Sequence, residues 1–163
     1  PWTMITSVFL HGSLVHIGLN MFSLYIFGSI LERSLGRARF VALYLVSGFG
    51  GSVAVLLLNP QSAVLGASGA IFGLLGAFFV IQRGLGGNNR SLIVLIVLNL
   101  VIGFVPGLNI SWQAHVGGLI AGAAVAFVYL RTRRADRKVT QVLGVSGIAL
   151  ALVATTVVAV VAS

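Results

Sequence analysis

The sequence contains no cysteine and few charged residues. Without cysteine, disulfides, thiolate metal ligands and a cysteine nucleophile are all excluded. Charged residues make up 7% of the 163 residues, whereas an ordinary soluble domain carries about a quarter. Apolar residues make up 58% of the chain, and this balance predicts a membrane protein.

Acidic residues are the scarcest of all, because Glu32 and Asp136 are the only two in the chain. Each stands at a charged break between apolar runs. This placement excludes a pair of catalytic aspartates within the membrane, and it leaves no carboxylate to orient a catalytic histidine. No HExxH pattern is present, which argues against a zinc hydrolase. We therefore expect neither a metal nor another cofactor.

Six apolar runs follow one another, bounded by charged or Gly/Pro-rich breaks. A helix needs about 20 residues to cross the hydrocarbon core of a bilayer. The runs therefore predict an all-α, polytopic transmembrane helix bundle with six spans, two of them short, and the lipid bilayer as a partner. The spans fall at 13–31, 39–58, 66–82, 91–106, 114–130 and 141–162.

The ten basic residues all fall in alternate breaks between these runs. They are Arg33, Arg37, Arg39, Arg83, Arg90, Arg131, Arg133, Arg134, Arg137 and Lys138. By the positive-inside rule these breaks are cytoplasmic, so the uncharged loops and both ends face outward. In this setting the net charge of +8 indicates topology or a lipid-headgroup anchor rather than a nucleic-acid partner.

Arginine outnumbers lysine by nine to one, and alanine, valine and glycine are abundant. This composition is typical of a GC-rich bacterial genome. We therefore predict a multi-pass protein of a bacterial inner membrane.

Polar residues inside the predicted spans are few, and each is a candidate functional group by default. With the N terminus outside, His16 and Asn20 lie in the outer half of the first span. Ser68 and His115 lie near the outer starts of the third and fifth spans, and His11 is expected in the loop entering the first helix. The full set is His11, Ser13, His16, Asn20, Ser23, Ser47, Ser52, Ser68, Asn99 and His115.

A helix from Ser68 to Gln82 would be roughly 22 Å long, shorter than a hydrocarbon core of about 30 Å. Its start is therefore expected below the outer surface, in a wet pocket that opens outward. Two stripes of small residues predict close packing of the third and fifth helices, which would bring Ser68 to His115. The stripes are Gly69, Gly73 and Gly76, and Ala114, Gly118, Gly122 and Ala126.

Each polar residue alone has a simpler interpretation. GxSG is common in helix packing, His115 could be a satisfied histidine or a proton relay, and His16 and Asn20 could join helices by hydrogen bonds. Together they provide a nucleophile, a base and two donors at one depth, beside a helix N-terminus that favours an anion. The residues present thus allow a Ser–His dyad, because a neutral histidine can activate a serine.

The sequence resembles the rhomboid family of intramembrane serine proteases from Trp2 to Arg134. The resemblance rests on HGSLVHIGLN (11–20), similar to the family's H-x4-H-x3-N helix, on GASG (66–69) and on AHVGGLIAG (114–122). ERSLG (32–36) is similar to the turn after the family's second helix. Three motifs in the expected order make this match specific.

The resemblance implies roles for named residues. Ser68 matches the nucleophile and His115 the base. His16 and Asn20 match the oxyanion donors, with Gly66 of the GxSG motif beside them. Phe72 matches an aromatic position that packs on the catalytic imidazole, and three glycines would support the helix contact, namely Gly69, Gly118 and Gly122.

The resemblance also implies a division of the chain. Residues 1–134 would form a rhomboid-like core with the second to sixth family helices, without a counterpart of the first. Residues 135–163 would form an additional C-terminal transmembrane helix.

The leading hypothesis is therefore a serine endopeptidase that cleaves single-pass transmembrane proteins near the outer end of their helix. An alternative is a catalytically inactive rhomboid-like protein that binds transmembrane helices. A third is a small transporter or proton channel with a relay through His16, Asn20 and His115, although the spans show no inverted repeat and no charged residue at the midplane.

Overall fold

The computed structural model describes residues 3–62, 65–105 and 110–162, and within these ranges all regular structure is helical. Trp2, where the family resemblance begins, lies outside the described residues. A helical turn at Thr3–Thr6 precedes the bundle. The main helices are α1 (Leu14–Leu35), α2 (Arg37–Leu58), α3 (Ser68–Gly84), α4 (Arg90–Ile102), α5 (Trp112–Arg131) and α6 (Lys138–Ala162).

Four of these helices are long and apolar enough to cross a membrane, namely α1, α2, α5 and the segment containing α6. The other two are shorter, with 17 residues in α3 and 13 in α4. At 1.5 Å per residue α3 is about 26 Å long, which is less than a typical hydrocarbon core. The predicted all-α membrane bundle is confirmed, and its two short spans are α3 and α4.

The centre of the bundle is the contact between α3 and α5, where glycines let the two backbones touch. A Cβ on Gly118 would overlap the carbonyl oxygen of Gly69, and a Cβ on Gly122 would overlap that of Gly73. One turn further on, a Cβ on Gly76 would overlap the carbonyl oxygen of Leu119. The predicted packing of these two small-residue stripes is confirmed.

Helix α2 approaches the same pair of helices through glycines of its own. A Cβ on Gly51 would lie 2.8 Å from the carbonyl oxygen of Ala114 and 3.4 Å from the Cα of Gly69. A Cβ on Gly117 would lie 2.5 Å from the carbonyl oxygen of Gly50. Three helices thus meet backbone to backbone beside the start of α3.

Larger apolar side chains fill the half of the bundle away from Ser68. Leu31, Leu43, Leu74 and Val125 are fully buried there and come from four different helices. Val145 and Ile148 of α6 pack on the same cluster. This cluster therefore ties α6 to α1, α2, α3 and α5.

Helix α1 covers one side of the core and contains a π-helical turn at Leu24–Gly28. Its other face does not pack on the described part of the bundle, since Leu14 is 90% exposed and Tyr25 is 75% exposed. Ser13 accepts a hydrogen bond from the backbone N–H of His16 at 3.1 Å and so caps the helix.

Candidate active site

Ser68 is the first residue of α3, and the backbone before it has an unusual conformation. Gly66 has a φ of +122°, which side-chain-bearing residues rarely adopt, and its N–H donates to the carbonyl of Ser7 at 2.9 Å. A glycine is needed here so that the chain can turn sharply into the helix. Ser68 therefore sits at a helix N-terminus, where backbone N–H groups lack intrahelical acceptors.

His115 is the fourth residue of α5 and is 5% exposed. Ser111 caps this helix by accepting from the N–H of Ala114 at 3.2 Å, which fixes the first turn that carries the imidazole. The ring of Phe72 stacks on His115 with centroids 4.0 Å apart and planes inclined by 10°. Because Phe72 lies one turn after Ser68, this stack brings α3 and the imidazole to the same place.

The neighbours of Ser68 and His115 in the chain are also in contact. A Cβ on Gly69 would lie 3.3 Å from the carbonyl oxygen of Ala114. Among the described residues, no hydrogen bond joins Ser68 to His115, and Nδ1 of His115 is buried without a partner. Hydrogen bonds of a catalytic site are often long without substrate and shorten when it binds.

His16 and Asn20 of α1 lie on the other side of Gly66. A Cβ on Gly66 would be 2.8 Å from Nε2 of His16 and 3.6 Å from Nδ2 of Asn20, so only glycine fits between them and the turn. Asn20 is 6% exposed, and its Nδ2 has no partner within the described part of the chain. Two polar side chains thus converge on the segment that leads into Ser68.

His11 lies in the loop before α1, as the sequence predicts. Its ring contacts that of His16 edge to face, with centroids 5.3 Å apart. Its Nε2 is buried and has no hydrogen-bond partner among the residues described. The sequence singles out His11 as a polar residue, but no spacing rule indicates the ring contact with His16.

The chain matches the Rhomboid domain over residues 1–132. The chain belongs to the rhomboid family. The matched range includes the segments that carry Ser68 and His115, and it ends before α6 begins at Lys138.

Curated rhomboid relatives include proteins of a plant and of a bacterium. The chain is 42% identical over 138 residues to RHOMBOID-like protein 5 of Arabidopsis thaliana, covering 79% of this chain and 44% of that protein. It is 36% identical over 138 residues to the putative rhomboid protease YdcA of Bacillus subtilis, covering 81% and 69%. It is 38% identical over 129 residues to the rhomboid protease GluP of the same bacterium, covering 74% and 24%.

The chain spans less than half the length of RHOMBOID-like protein 5 and of GluP. Because its relatives include plant as well as bacterial proteins, the bacterial origin stays a prediction. The predicted position in a membrane is supported by the family and by the four long apolar helices.

The other polar residues of this rhomboid chain serve its helices. Ser52 donates to the carbonyl of Met4 at 2.7 Å, and Asn99 donates to the carbonyl of Leu95 at 2.8 Å. Ser47 is fully buried where α2 meets Gly73 of α3, and its Oγ has no hydrogen-bond partner among the described residues. Ser23 lies directly before the π-helical turn of α1.

No group of three or more His, Asp or Glu side chains within residues 3–62, 65–105 and 110–162 is arranged to hold a metal ion. Hydrogen bonding and proton transfer are the chemistry that the three histidines near Ser68 offer.

Proposed function

We propose that this protein is an intramembrane serine endopeptidase that cleaves transmembrane proteins through a Ser68–His115 dyad. Membership of the rhomboid family and the named rhomboid proteases among its relatives support the protease class. The geometry around Ser68 and His115 supports the dyad itself.

One observation carries the proposal, namely that the stack of Phe72 on His115 places the imidazole beside the first turn of α3. The contact of Gly69 with Ala114 supports the same arrangement, because these residues directly adjoin Ser68 and His115 in the chain. A serine needs a neighbouring base to become a strong nucleophile. We assign His115 as that base, because its ring stacks on Phe72, one turn after Ser68.

The chemistry then follows from these two groups. Ser68 Oγ attacks the scissile carbonyl while His115 takes the hydroxyl proton, which gives a tetrahedral intermediate. His115 returns this proton to the leaving amine as the peptide bond breaks, leaving an acyl-enzyme. Water, deprotonated by His115, attacks the ester, and its proton returns to Ser68 when the acid product leaves.

The negative charge on the intermediate needs donors. Asn20 Nδ2 is suited to this role because it is buried and has no partner among the described residues, so it is free to donate to an oxyanion. His16 Nε2 lies beside the same turn, and the N–H of Ser68 is at a helix N-terminus. Loss of one such donor typically lowers the rate by about 10²–10³. Gly66 keeps the space between these donors open.

The position of the site in a membrane bundle supports a transmembrane substrate. A transmembrane helix satisfies all its backbone groups internally and offers no free carbonyl. A substrate must therefore unwind locally to reach Ser68, so we expect small or helix-breaking residues near the cut. With the charged breaks cytoplasmic, cleavage would occur near the outer end of the substrate helix, in a bacterial inner membrane.

We also propose that residues 1–134 form the catalytic core and that 135–163 form an additional helix. The family match ends at residue 132, which supports this boundary.

The test replaces the nucleophile. We expect Ser68→Ala to abolish cleavage of a model single-pass substrate in proteoliposomes, and Ser146→Ala, on an exposed face of α6, to leave cleavage unchanged. A fluorophosphonate probe should label wild type and Ser146→Ala but not Ser68→Ala. A helix-binding protein without activity, or a proton relay, would give no labelling in any variant. Either that result or cleavage by Ser68→Ala would refute the proposal.

A further inference from the structure

Arg39 lies at the end of the bundle opposite to Ser68, where α2, α5 and α6 meet. Its Nε donates to Oε1 of Gln141 at 2.7 Å, and its carbonyl oxygen accepts from the hydroxyl of Tyr129 at 3.1 Å. Gln141 and Tyr129 are 6% and 5% exposed, and Arg39 itself is partly buried. The guanidinium is thus held at the junction of the three helices.

Gln141 has a fixed orientation because both ends of its amide are used. Its Nε2 donates to the carbonyl oxygen of Thr132 at 3.3 Å and to the Thr132 hydroxyl at 3.0 Å. Its oxygen therefore has to face Arg39. The two terminal nitrogens of the guanidinium make no hydrogen bond to any residue in 3–62, 65–105 or 110–162.

Neither acidic side chain of the chain forms an ion pair with Arg39. Glu32 pairs with Arg37 at 3.4 Å, and Asp136 pairs with Arg134 at 3.3 Å. These are the only two acidic residues in the sequence. A partly buried cation gains from a partner, so Arg39 is suited to an anion from outside the chain.

We propose that Arg39, at the junction of α2, α5 and α6, binds the phosphate headgroup of an anionic phospholipid. A guanidinium held through Nε presents its two terminal nitrogens as a fork, which matches a phosphate in two parallel hydrogen bonds. The junction lies at the ends of apolar helices, where lipid headgroups are located. Basic pockets between transmembrane helices are known to take such headgroups.

Neighbouring basic residues strengthen the attraction. Lys138 lies three residues before Gln141 on α6, which places it on the neighbouring helical turn. Arg133 and Arg137 belong to the connection between α5 and α6 at the same end of the bundle.

This site differs from the general attraction of basic residues to anionic lipid, which every exposed arginine shares. Arg90 is the useful comparison, because it lies in another of the charged breaks but is exposed at the start of α4. Losing Arg39 should remove a pre-formed phosphate contact. Losing Arg90 should remove only one unit of surface charge.

The experiment titrates phosphatidylglycerol into the purified protein in phosphatidylcholine nanodiscs or detergent and counts bound lipid by native mass spectrometry. We expect one saturable phosphatidylglycerol molecule on wild type. Arg39→Gln should weaken it by about tenfold or more, because a bidentate charged hydrogen bond is lost. Arg90→Gln should change the affinity by less than about twofold, and Arg39→Lys should fall between the two.

Equal weakening by Arg39→Gln and Arg90→Gln would overturn the proposal in favour of general charge attraction. Inorganic phosphate that competes at the same concentration as phosphatidylglycerol would overturn the assignment to a lipid. The unfolding midpoint in phosphatidylcholine reports whether each variant is folded. If Arg39→Gln does not fold, Arg39→Lys against Arg90→Lys makes the same comparison with the charge retained, and equal affinities there would refute the site.

Discussion

At the Ser68 end of the bundle, three buried polar atoms have no hydrogen-bond partner among the described residues: Nε2 of His11, Nδ2 of Asn20 and Nδ1 of His115. An unsatisfied buried polar group costs roughly 1–3 kcal/mol of stability. This end of the molecule therefore keeps donors and acceptors available for a ligand at the expense of its own stability.

Around Arg39, the buried side chains between α2, α5 and α6 are hydrogen-bonded to one another. Gln141 bonds to both Arg39 and Thr132, and Thr132 also donates to the carbonyl of Val128 at 2.6 Å. Tyr129 donates to the backbone of Arg39. We therefore expect that loss of a polar group lowers activity at the Ser68 end and stability at the Arg39 end.

The largest effect is expected at the glycine contacts between α3 and α5. Gly118→Ala places a methyl group on the carbonyl oxygen of Gly69, and neither backbone can move without separating α3 from α5. Overpacking usually costs about 1–3 kcal/mol, and we expect Gly118→Ala to reach or exceed the top of this range. Reversible unfolding in mixed micelles measures the loss.

Gly147→Ala is the matched control, because nothing lies within 4 Å of a Cβ at Gly147 in α6. Alanine favours helix over glycine by up to about 1 kcal/mol, so this variant should be as stable as wild type or slightly more. Equal destabilisation by the two substitutions would mean that the close contact of α3 with α5 is not what holds the bundle together.

Asn20 tests whether the unpartnered polar groups at the Ser68 end contribute to activity rather than to stability. Asn20→Ala removes a buried amide whose nitrogen has no partner among the described residues. Relief of that unsatisfied group and the packing lost with the side chain act in opposite directions, so the free energy of unfolding should change by less than about 1 kcal/mol. The rate of substrate cleavage should fall by about 10²–10³, mainly in kcat, because an oxyanion donor is lost. Cleavage assays in proteoliposomes and unfolding in micelles are compared on the same preparations.

Asn99→Ala serves as the control, since the Asn99 side chain bonds within α4, to the carbonyl of Leu95. It should cleave at the wild-type rate. A large loss of stability with unchanged kcat in Asn20→Ala would assign this residue to the fold and contradict its role as a donor.

The helix bundle and the Ser68 end are accessible from the sequence, because the signals there are local. Glycines at four-residue spacing mark a close helix contact, and Ser68, His115, His16 and Asn20 are polar residues at one depth. The contacts of Gly50 and Gly51 of α2 with the other helices could not be predicted in this way, because small residues are scattered along that span without a clear stripe.

The Arg39 end is not predictable in this way, for a different reason. Arg39 and Gln141 are separated by 102 positions, and the spacing of residues within a helix predicts nothing about a contact between distant helices. Gln141 is the first residue of an apolar run and does not stand out among the polar residues of the spans. A glutamine at the cytoplasmic end of a predicted span, at the same side of the membrane as an arginine-containing break, is the sequence signal that could have indicated this site.

The smallest expected effect tests the Arg39 end. Tyr129→Phe keeps the ring in the apolar cluster with Leu31 and Val125 but removes the hydroxyl that donates to the carbonyl of Arg39. A single buried hydrogen bond contributes about 0.5–1.5 kcal/mol, so unfolding in micelles should show a loss of about 1 kcal/mol and cleavage should be unchanged. Tyr25→Phe is the control, because Tyr25 is 75% exposed and no stability change is expected. If Tyr129→Phe lowered kcat as much as Asn20→Ala while leaving stability intact, the two ends of the bundle would not be separable in function, and the contrast between them would fail.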